Sequence, residues 1–231
     1  MDQVAQTVHQ HLDLSPGKSI GKAVYQALRQ TILMGEIPDG ERINEKSLAK
    51  ELNVSRTPIR KAMDRLDRDN LVERKSGVGI ITRGVSRKDA REIFDIRREL
   101  DTLATIRAMQ IMTHDQFFSL REILEETDRC NGQGQVDQVL TMFTAFNDFI
   151  YDACDMPRLK VIVTRLKNYL VYFRDISVRG NDRRQLAIDE HWNIYHAMLT
   201  GDQNRVESII RQHLAHSLDF ILSVMEARHV G

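Results

Sequence analysis

Residues 40–62 have the sequence GERINEKSLAKELNVSRTPIRKA. Asn44 is a residue type that commonly caps the start of a helix, and Leu48 and Leu52 follow it at helical spacing. Residues 53–55 then interrupt this period, and it resumes further along the chain. The pattern predicts a short helix, a tight turn and a second helix.

The start of the second helix has the residue types of a DNA-contacting end. Ser55 is placed to cap it, and Pro58 falls in the first turn, where a missing N–H is tolerated. Arg56, Thr57 and Arg60 are expected at its exposed beginning. A helix N-terminus in the major groove brings backbone amides to phosphate, and Arg can bind guanine through two hydrogen bonds.

The flanking segments complete a small DNA-binding fold. Apolar residues recur at helical spacing over 20–32, before the turn sequence Pro38-Asp39-Gly40. Segments 71–74 and 79–82 are β-prone, and the basic, glycine-containing segment 75–78 between them predicts a two-stranded wing. An alternative is an ordinary three-helix bundle whose basic residues form a solvated face.

Helical periods dominate beyond Ser86. Thr113 is expected to cap one helix and Pro157 to start another, while Gly180 and Gly201 separate the later ones. The fold class is therefore mainly α, with a winged helix-turn-helix followed by an all-α bundle of six or seven helices. The predicted divisions are 1–17, an N-terminal arm or an extra helix on the DNA-binding module, then 18–85 and 86–231.

Composition agrees with a nucleic-acid-binding module attached to an acidic one. The net charge is zero, but residues 18–85 contain fourteen Lys or Arg and nine Asp or Glu. A basic surface favours a polyanion because each neutralised phosphate releases counterions. The sequence has no membrane-spanning run and no signal sequence, which predicts a cytoplasmic protein without membrane contact. Cys130 and Cys154 have no metal or disulfide spacing and are expected to be buried.

The sequence of residues 18–83, above all 40–49 and 53–62, resembles the GntR family of bacterial regulators. The resemblance implies DNA contacts by side chains at the helix start and by the tip of the wing. Lys61 departs from the acidic residue usual in the family. The implied DNA-binding residues are Arg42, Lys46, Ser55, Arg56, Thr57, Arg60, Gly77, Val78 and Gly79.

Residues 87–219 resemble the FadR-type effector domain, called FCD. The resemblance implies an internal pocket with Arg97 facing it and with His191 and His213 as ligands of a divalent metal such as zinc. Family members that bind metal supply an Asp and a His at the positions of Phe143 and Asn147, so both partners are replaced here.

Two imidazoles alone hold a divalent ion poorly, so we expect histidines that bind a small molecule more than a metal centre. Asn147, Asp148 or Asp152 could restore coordination, and that alternative stays open. A cationic pocket suits a carboxylate, which predicts a small organic acid or sugar acid as effector. The expected effector-binding residues are Arg97, Asn147, His191 and His213.

These features predict a transcription regulator, most simply a ligand-responsive repressor that binds a palindromic operator in double-stranded DNA as a homodimer. One alternative is an architectural DNA binder that responds to no effector. A helical metalloenzyme is the other, but the sequence has no HExxH motif, nucleophile elbow, phosphate loop or dinucleotide fingerprint. We therefore predict that the chain is not an enzyme and has no catalytic residues.

Overall fold

The computed structural model describes residues 3–15, 17, 19–228 and 230. It divides into two compact units, one of residues 1–86 with 228–231 and one of residues 87–227. No helix in the described ranges is long and apolar enough to cross a membrane.

The first unit is a winged helix-turn-helix. Leu28, Ile59, Met63 and Leu66 are fully buried and form the centre of its core. These residues recur at helical spacing, which explains why the segments pack as amphipathic helices. Its elements are α1 (Gln3–Gln10), α2 (Ile20–Leu33), β1 (Arg42–Ile43), α3 (Glu45–Glu51), α4 (Arg56–Arg68), β2 (Val72–Lys75) and β3 (Gly79–Thr82).

The predicted wing is formed by β2 and β3, which pair in antiparallel register with Lys75 opposite Gly79. A third strand, β1, extends this sheet on the other side of β3, with Arg42 opposite Ile81. The sequence pattern did not indicate β1, because two residues are too few to show a strand alternation. The extra strand attaches the start of α3 to the wing.

Helix α1 packs against α2 and α3 within the first unit. Val4, Ala5 and Val8 are its buried residues. This is the second of the two alternatives for the N-terminal residues, an extra helix on the DNA-binding module. Its short apolar face spans only two turns, which is why periodicity did not reveal it.

The second unit consists of six helices. Thr113 forms the predicted cap with Gln116, Pro157 lies in the first turn of its helix, and Gly201 ends another with φ 69°. Cys130 and Cys154 are both buried, as predicted. The helices are α5 (Arg87–Ile111), α6 (His114–Gly132), α7 (Val136–Ala153), α8 (Pro157–Arg179), α9 (Asn181–Thr200) and α10 (Gln203–Ala227).

Candidate DNA interface and ligand cavity

The N-termini of α3 and α4 are capped in different ways. Asn44 Oδ1 accepts hydrogen bonds from the backbone N–H groups of Lys46 and Ser47 at 3.0 and 3.1 Å. Ser55 occupies the N-cap of α4 in an extended conformation, but its side chain makes no hydrogen bond to the first-turn amides. The first turn of α4 thus retains amide donors that a phosphate could use.

A concave surface lies between the wing and the N-terminal ends of α3 and α4. The predicted residues Arg42, Lys46, Arg56 and Gly79 all line it. Thr57 and Arg60 are exposed on α4, and Gly77 and Val78 are exposed at the wing tip. We call this surface the DNA groove, and its remaining lining residues include Lys75 and Ser76.

Glycine is required at the wing tip for conformational reasons. Gly77 and Gly79 have φ values of 76° and 106°, which residues with a Cβ rarely adopt. A Cβ at Gly79 would lie 3.6 Å from Nε of Arg42, an ordinary contact distance, so the requirement for glycine there is one of backbone conformation.

The four cations predicted to contact DNA have no acidic partner among the described residues, whereas Lys75 of the DNA groove lies 3.8 Å from Glu73. Within the described residues, no carboxylate oxygen lies within 4.0 Å of Arg42, Lys46, Arg56 or Arg60. Arg74, by contrast, pairs with Asp64 at 2.6 Å. Unpaired, exposed cations on one surface are what a polyanion requires.

The second unit contains a cavity with an empty volume of about 580 Å³, part of it open to solvent. All four residues predicted to bind an effector, Arg97, Asn147, His191 and His213, line it. They come from α5, α7, α9 and α10, so the bundle brings together residues far apart in sequence.

His191 is held by two aromatic rings. Its ring stacks on Phe146 at a centroid distance of 4.5 Å and meets the edge of Phe143 at 4.8 Å. Burial and the neighbouring His213 lower the pKa of His191 well below its usual value, so the ring is neutral. The buried Nδ1 atom of His191 has no hydrogen-bond partner within the described chain.

Glu190 links side chains of α9 and α10 beside the cavity. His213 Nδ1 and His216 Nδ1 donate to its two carboxylate oxygens at 2.8 and 2.6 Å, and Arg183 donates at 3.2 Å. Burial raises the pKa of Glu190, but the hydrogen bond from His213 and the charges of His213 and Arg183 outweigh this and lower it overall. Glu190 is therefore an ionised carboxylate, and His213 is anchored by it.

Arg97 is anchored in the same manner on α5. It donates to Asp101 at 2.8 Å, and the hydroxyl of Tyr151 donates to the other carboxylate oxygen at 2.9 Å. Burial raises the pKa of Tyr151 well above 10, which keeps its phenol neutral and able to donate. The acid lies behind Arg97, and the guanidinium lines the cavity.

Three cations and a hydroxyl that the sequence analysis did not select also line the cavity. They are Lys167, Arg174, Arg183 and Ser217. A signal existed for α8, because Lys167, Leu170, Arg174 and Val178 follow each other at spacings of three or four residues and so share one face.

The donor set does not fit the metal centre that the FCD resemblance implied. Phe143 offers an aromatic edge, and the amide nitrogen of Asn147 donates to the carbonyl of Phe143 at 2.7 Å. Asp152 is paired with Lys160 instead. Across the described ranges, no three His, Cys, Asp or Glu side chains are arranged to hold a metal ion. We therefore abandon His191 and His213 as metal ligands.

Comparison with known proteins agrees with this architecture. Residues 20–81 match the family "Bacterial regulatory proteins, gntR family", and residues 92–216 match the FCD domain. YdhC of Bacillus subtilis, an uncharacterised HTH-type transcriptional regulator, is 27% identical over 87% of this chain and 91% of its own length. The gluconate operon transcriptional repressor of the same species is 29% identical, with 82% of each chain covered.

Among solved structures, Escherichia coli McbR/YncC superposes with a TM-score of 0.64 at 21% identity, over 89% of this chain and 98% of the other. That likeness shows a shared fold. The relatives are transcription regulators and not enzymes. The chain belongs to the GntR family of DNA-binding transcription regulators, in the branch whose second domain is an FCD domain.

Proposed function

We propose that this protein is a ligand-responsive repressor that binds a palindromic operator as a homodimer. The observation that carries the proposal is the cluster of exposed, unpaired cations around the open N-terminus of α4. The proposed DNA contacts are Arg42, Lys46, Ser55, Arg56, Thr57, Arg60 and the wing residues Gly77, Val78 and Gly79.

The proposed contacts differ in the part of the DNA that they recognise. Arg56 and Arg60 point from the start of a helix that fits the major groove, where Arg recognises guanine. Lys46 and the free Ser55 hydroxyl supply phosphate contacts, which fix position without sequence preference. The glycine-containing wing tip reaches the neighbouring groove.

The second unit supports the homodimer. Ile96 and Leu103 are 42% and 47% exposed and lie seven residues apart, on one face of α5. Val161 and Ile162 of α8 are also exposed. Burying these side chains against a second copy would remove apolar surface from water, and two copies would match two operator half-sites.

The effector is a small organic acid or sugar acid held by Arg97, Asn147, His191 and His213. Arg97 and His213 supply nitrogen donors that carboxylates hold in place. With the amide of Asn147 and the neutral imidazole of His191, they suit a carboxylate that has neighbouring hydroxyl groups. The relative named for the gluconate operon is compatible with this class. Binding would shift the dimer between poses that do and do not fit the operator.

The test is selection of bound sequences from random and genomic DNA with the full chain. The affinity for the selected DNA sequence is then measured at fixed salt for the wild type and for Arg56→Ala and Arg60→Ala. Arg121→Ala on α6 is the control, because it also removes one exposed positive charge. We expect a short palindrome whose affinity falls only in the first two variants. No enriched sequence, or equal affinities, would refute operator binding, and DNA affinity indifferent to every acid would favour the architectural alternative.

A further inference from the structure

The cavity of the second unit has a strongly asymmetric charge. Four cations line it, Arg97 from α5, Lys167 and Arg174 from α8, and Arg183 from α9. None of the described residues that line it is a carboxylate. The acids that neutralise the arginines lie behind them, so the interior presents positive charge.

Lys167 is the least compensated of these four cations. Arg97, Arg174 and Arg183 each form a hydrogen-bonded ion pair, at 2.8, 2.6 and 3.2 Å. The nearest carboxylate oxygen to Lys167 belongs to Asp148 and lies 3.6 Å away, beyond hydrogen-bond distance, on a side chain that is 43% exposed. The Lys167 side chain itself is only 13% exposed.

Buried nitrogen atoms without hydrogen-bond partners, two of them arginine donors, provide a second, independent observation. Arg97 Nε, Arg183 Nε and His191 Nδ1 are fully buried and make no hydrogen bond within the described residues. A buried donor without a partner costs about 1–3 kcal/mol, so an acceptor supplied by a ligand would be favoured here. These three atoms belong to side chains that line the cavity.

We propose that Lys167 is the principal anchoring cation for a ligand carboxylate in this cavity. Arg97 and Arg174 flank it and complete the carboxylate site, while Arg183 and His191 meet the remaining polar groups of the ligand. The inference rests on the proposed function only in taking this cavity as the effector site.

The ionisation of Lys167 is consistent with that role. Burial and the charge of Arg97 lower its pKa to about 8, against a partial opposing effect of Asp148. Lys167 faces Arg97 and Asp101 from α5, Asp148 and Tyr151 from α7, and Arg174 on α8. Further charged or titratable residues around the same cavity are Arg183, His191 and His213, from α9 and α10.

The test measures ligand binding to the full chain without DNA, after treatment with EDTA. The probes are gluconate and succinate, with sorbitol as the uncharged counterpart of gluconate and inorganic phosphate as a second anion. Calorimetry or a shift in Tm reports binding at neutral pH. We expect at least one carboxylate to bind, and sorbitol not to bind.

Three variants then assign the anchor. Lys167→Met should weaken carboxylate binding about tenfold to a hundredfold, since a hydrogen bond to a charged group contributes about 1.5–3 kcal/mol. Lys167→Arg should retain most of the wild-type affinity for the carboxylate. Lys160→Met, which removes a partly exposed lysine of the same helix that pairs with Asp152, should bind as the wild type does.

The Tm of each ligand-free variant shows whether it is folded. Equal carboxylate affinity in wild type and Lys167→Met would overturn the proposal, as would binding of phosphate alone or binding that requires zinc after EDTA. If a carboxylate binds through Lys167 but leaves DNA affinity unchanged, the Lys167 inference is upheld and the ligand response is refuted. If the carboxylate still releases DNA from the Lys167→Met variant, the ligand response is upheld and the Lys167 inference is refuted.

Discussion

The DNA groove and the ligand cavity use the same residue types under opposite conditions. Arg42, Lys46 and Arg56 of the groove are exposed and unpaired. In the cavity, Arg183 is buried and the Arg97 side chain is only 12% exposed, and both are backed by carboxylates. Exposed charges are screened by salt over roughly 10 Å at 0.1 M, and buried ones are screened much less. One surface is therefore suited to reversible, salt-sensitive contact with a polyanion, and the other to selective binding of a small ligand.

The difference extends to what each cation contributes to folding. Removing an exposed, unpaired cation leaves no buried group without a partner, so it should alter DNA affinity and leave stability nearly unchanged. Removing a member of a buried ion pair leaves its partner uncompensated. Substitutions at matched exposed and buried sites test this contrast.

Glu190→Gln should lower the free energy of unfolding of the second unit by about 3–5 kcal/mol, because Arg183 would lose its buried counter-charge. Trp192 is the only tryptophan in the chain and lies on α9, so urea unfolding followed by its fluorescence reports on this unit.

The matched control is Glu125→Gln, which removes an exposed carboxylate that pairs with Arg121. Its cost should stay within about 1 kcal/mol. Similar losses in both variants would show that the buried network is no more important for stability than a surface pair.

Lys167→Met should stabilise the ligand-free protein by up to about 3 kcal/mol below pH 8, because each pKa unit corresponds to about 1.4 kcal/mol. The lysine has its ordinary pKa of 10.5 in the unfolded chain and about 8 in the folded one. Between these values the unfolded wild type binds more protons than the folded state, so wild-type stability rises with pH there. The advantage of the variant should then shrink toward pH 10.

Lys160→Met supplies the baseline for the same pH series of unfolding curves. A wild-type stability that does not rise relative to this control between pH 8 and 10 would contradict the lowered pKa. A variant no more stable than wild type at pH 7 would show that Asp148 and the Tyr151 ring already compensate the Lys167 charge.

Lys46→Ala should weaken binding to all DNA sequences alike and reduce the slope of log affinity against log salt by about 1, since it removes one phosphate contact. Titrations at several salt concentrations measure the slope. Binding of a carboxylate to the cavity, measured over the same range, should change far less. Equal salt dependence at both places would remove the distinction between them.

Asn44→Ala should destabilise the first unit by about 1 kcal/mol, because it removes an N-cap that accepts two backbone hydrogen bonds. Ser55→Ala should change stability by only a few tenths, because its hydroxyl makes no such bond, yet it should weaken DNA binding. Circular dichroism during urea unfolding and a DNA titration separate the two effects. Equal destabilisation by both substitutions would mean that Ser55 also caps α4 in solution.

The sequence was most informative where local chemistry decides the structure. The caps at Asn44 and Thr113 and the break at Gly201 depend on neighbouring residues alone, and the predictions for them are confirmed. Strand β1 depends on pairing with β3, some forty residues away, and no local pattern at Arg42 indicates it.

The cavity shows the same limit more sharply. Arg183 and Arg184 are adjacent and both buried, yet Arg183 lines the cavity while Arg184 donates to Asn131 and to the carbonyl of Arg179. Periodicity gave no basis for choosing between them, because α9 buries residues on most of its faces. The resemblance supplied Arg97, His191 and His213, but not the cations particular to this chain.

The ring of Phe143 has a consequence for physiology. A regulator whose pocket is completed by a transition metal couples its response to the cell's supply of that metal, and starvation or excess can then imitate a change in metabolite concentration. In the ligand-responsive repressor proposed above, an aromatic ring packed against His191 would remove that second input. The signal reaching the promoter would then depend on the metabolite alone, in metal-poor and metal-rich surroundings alike.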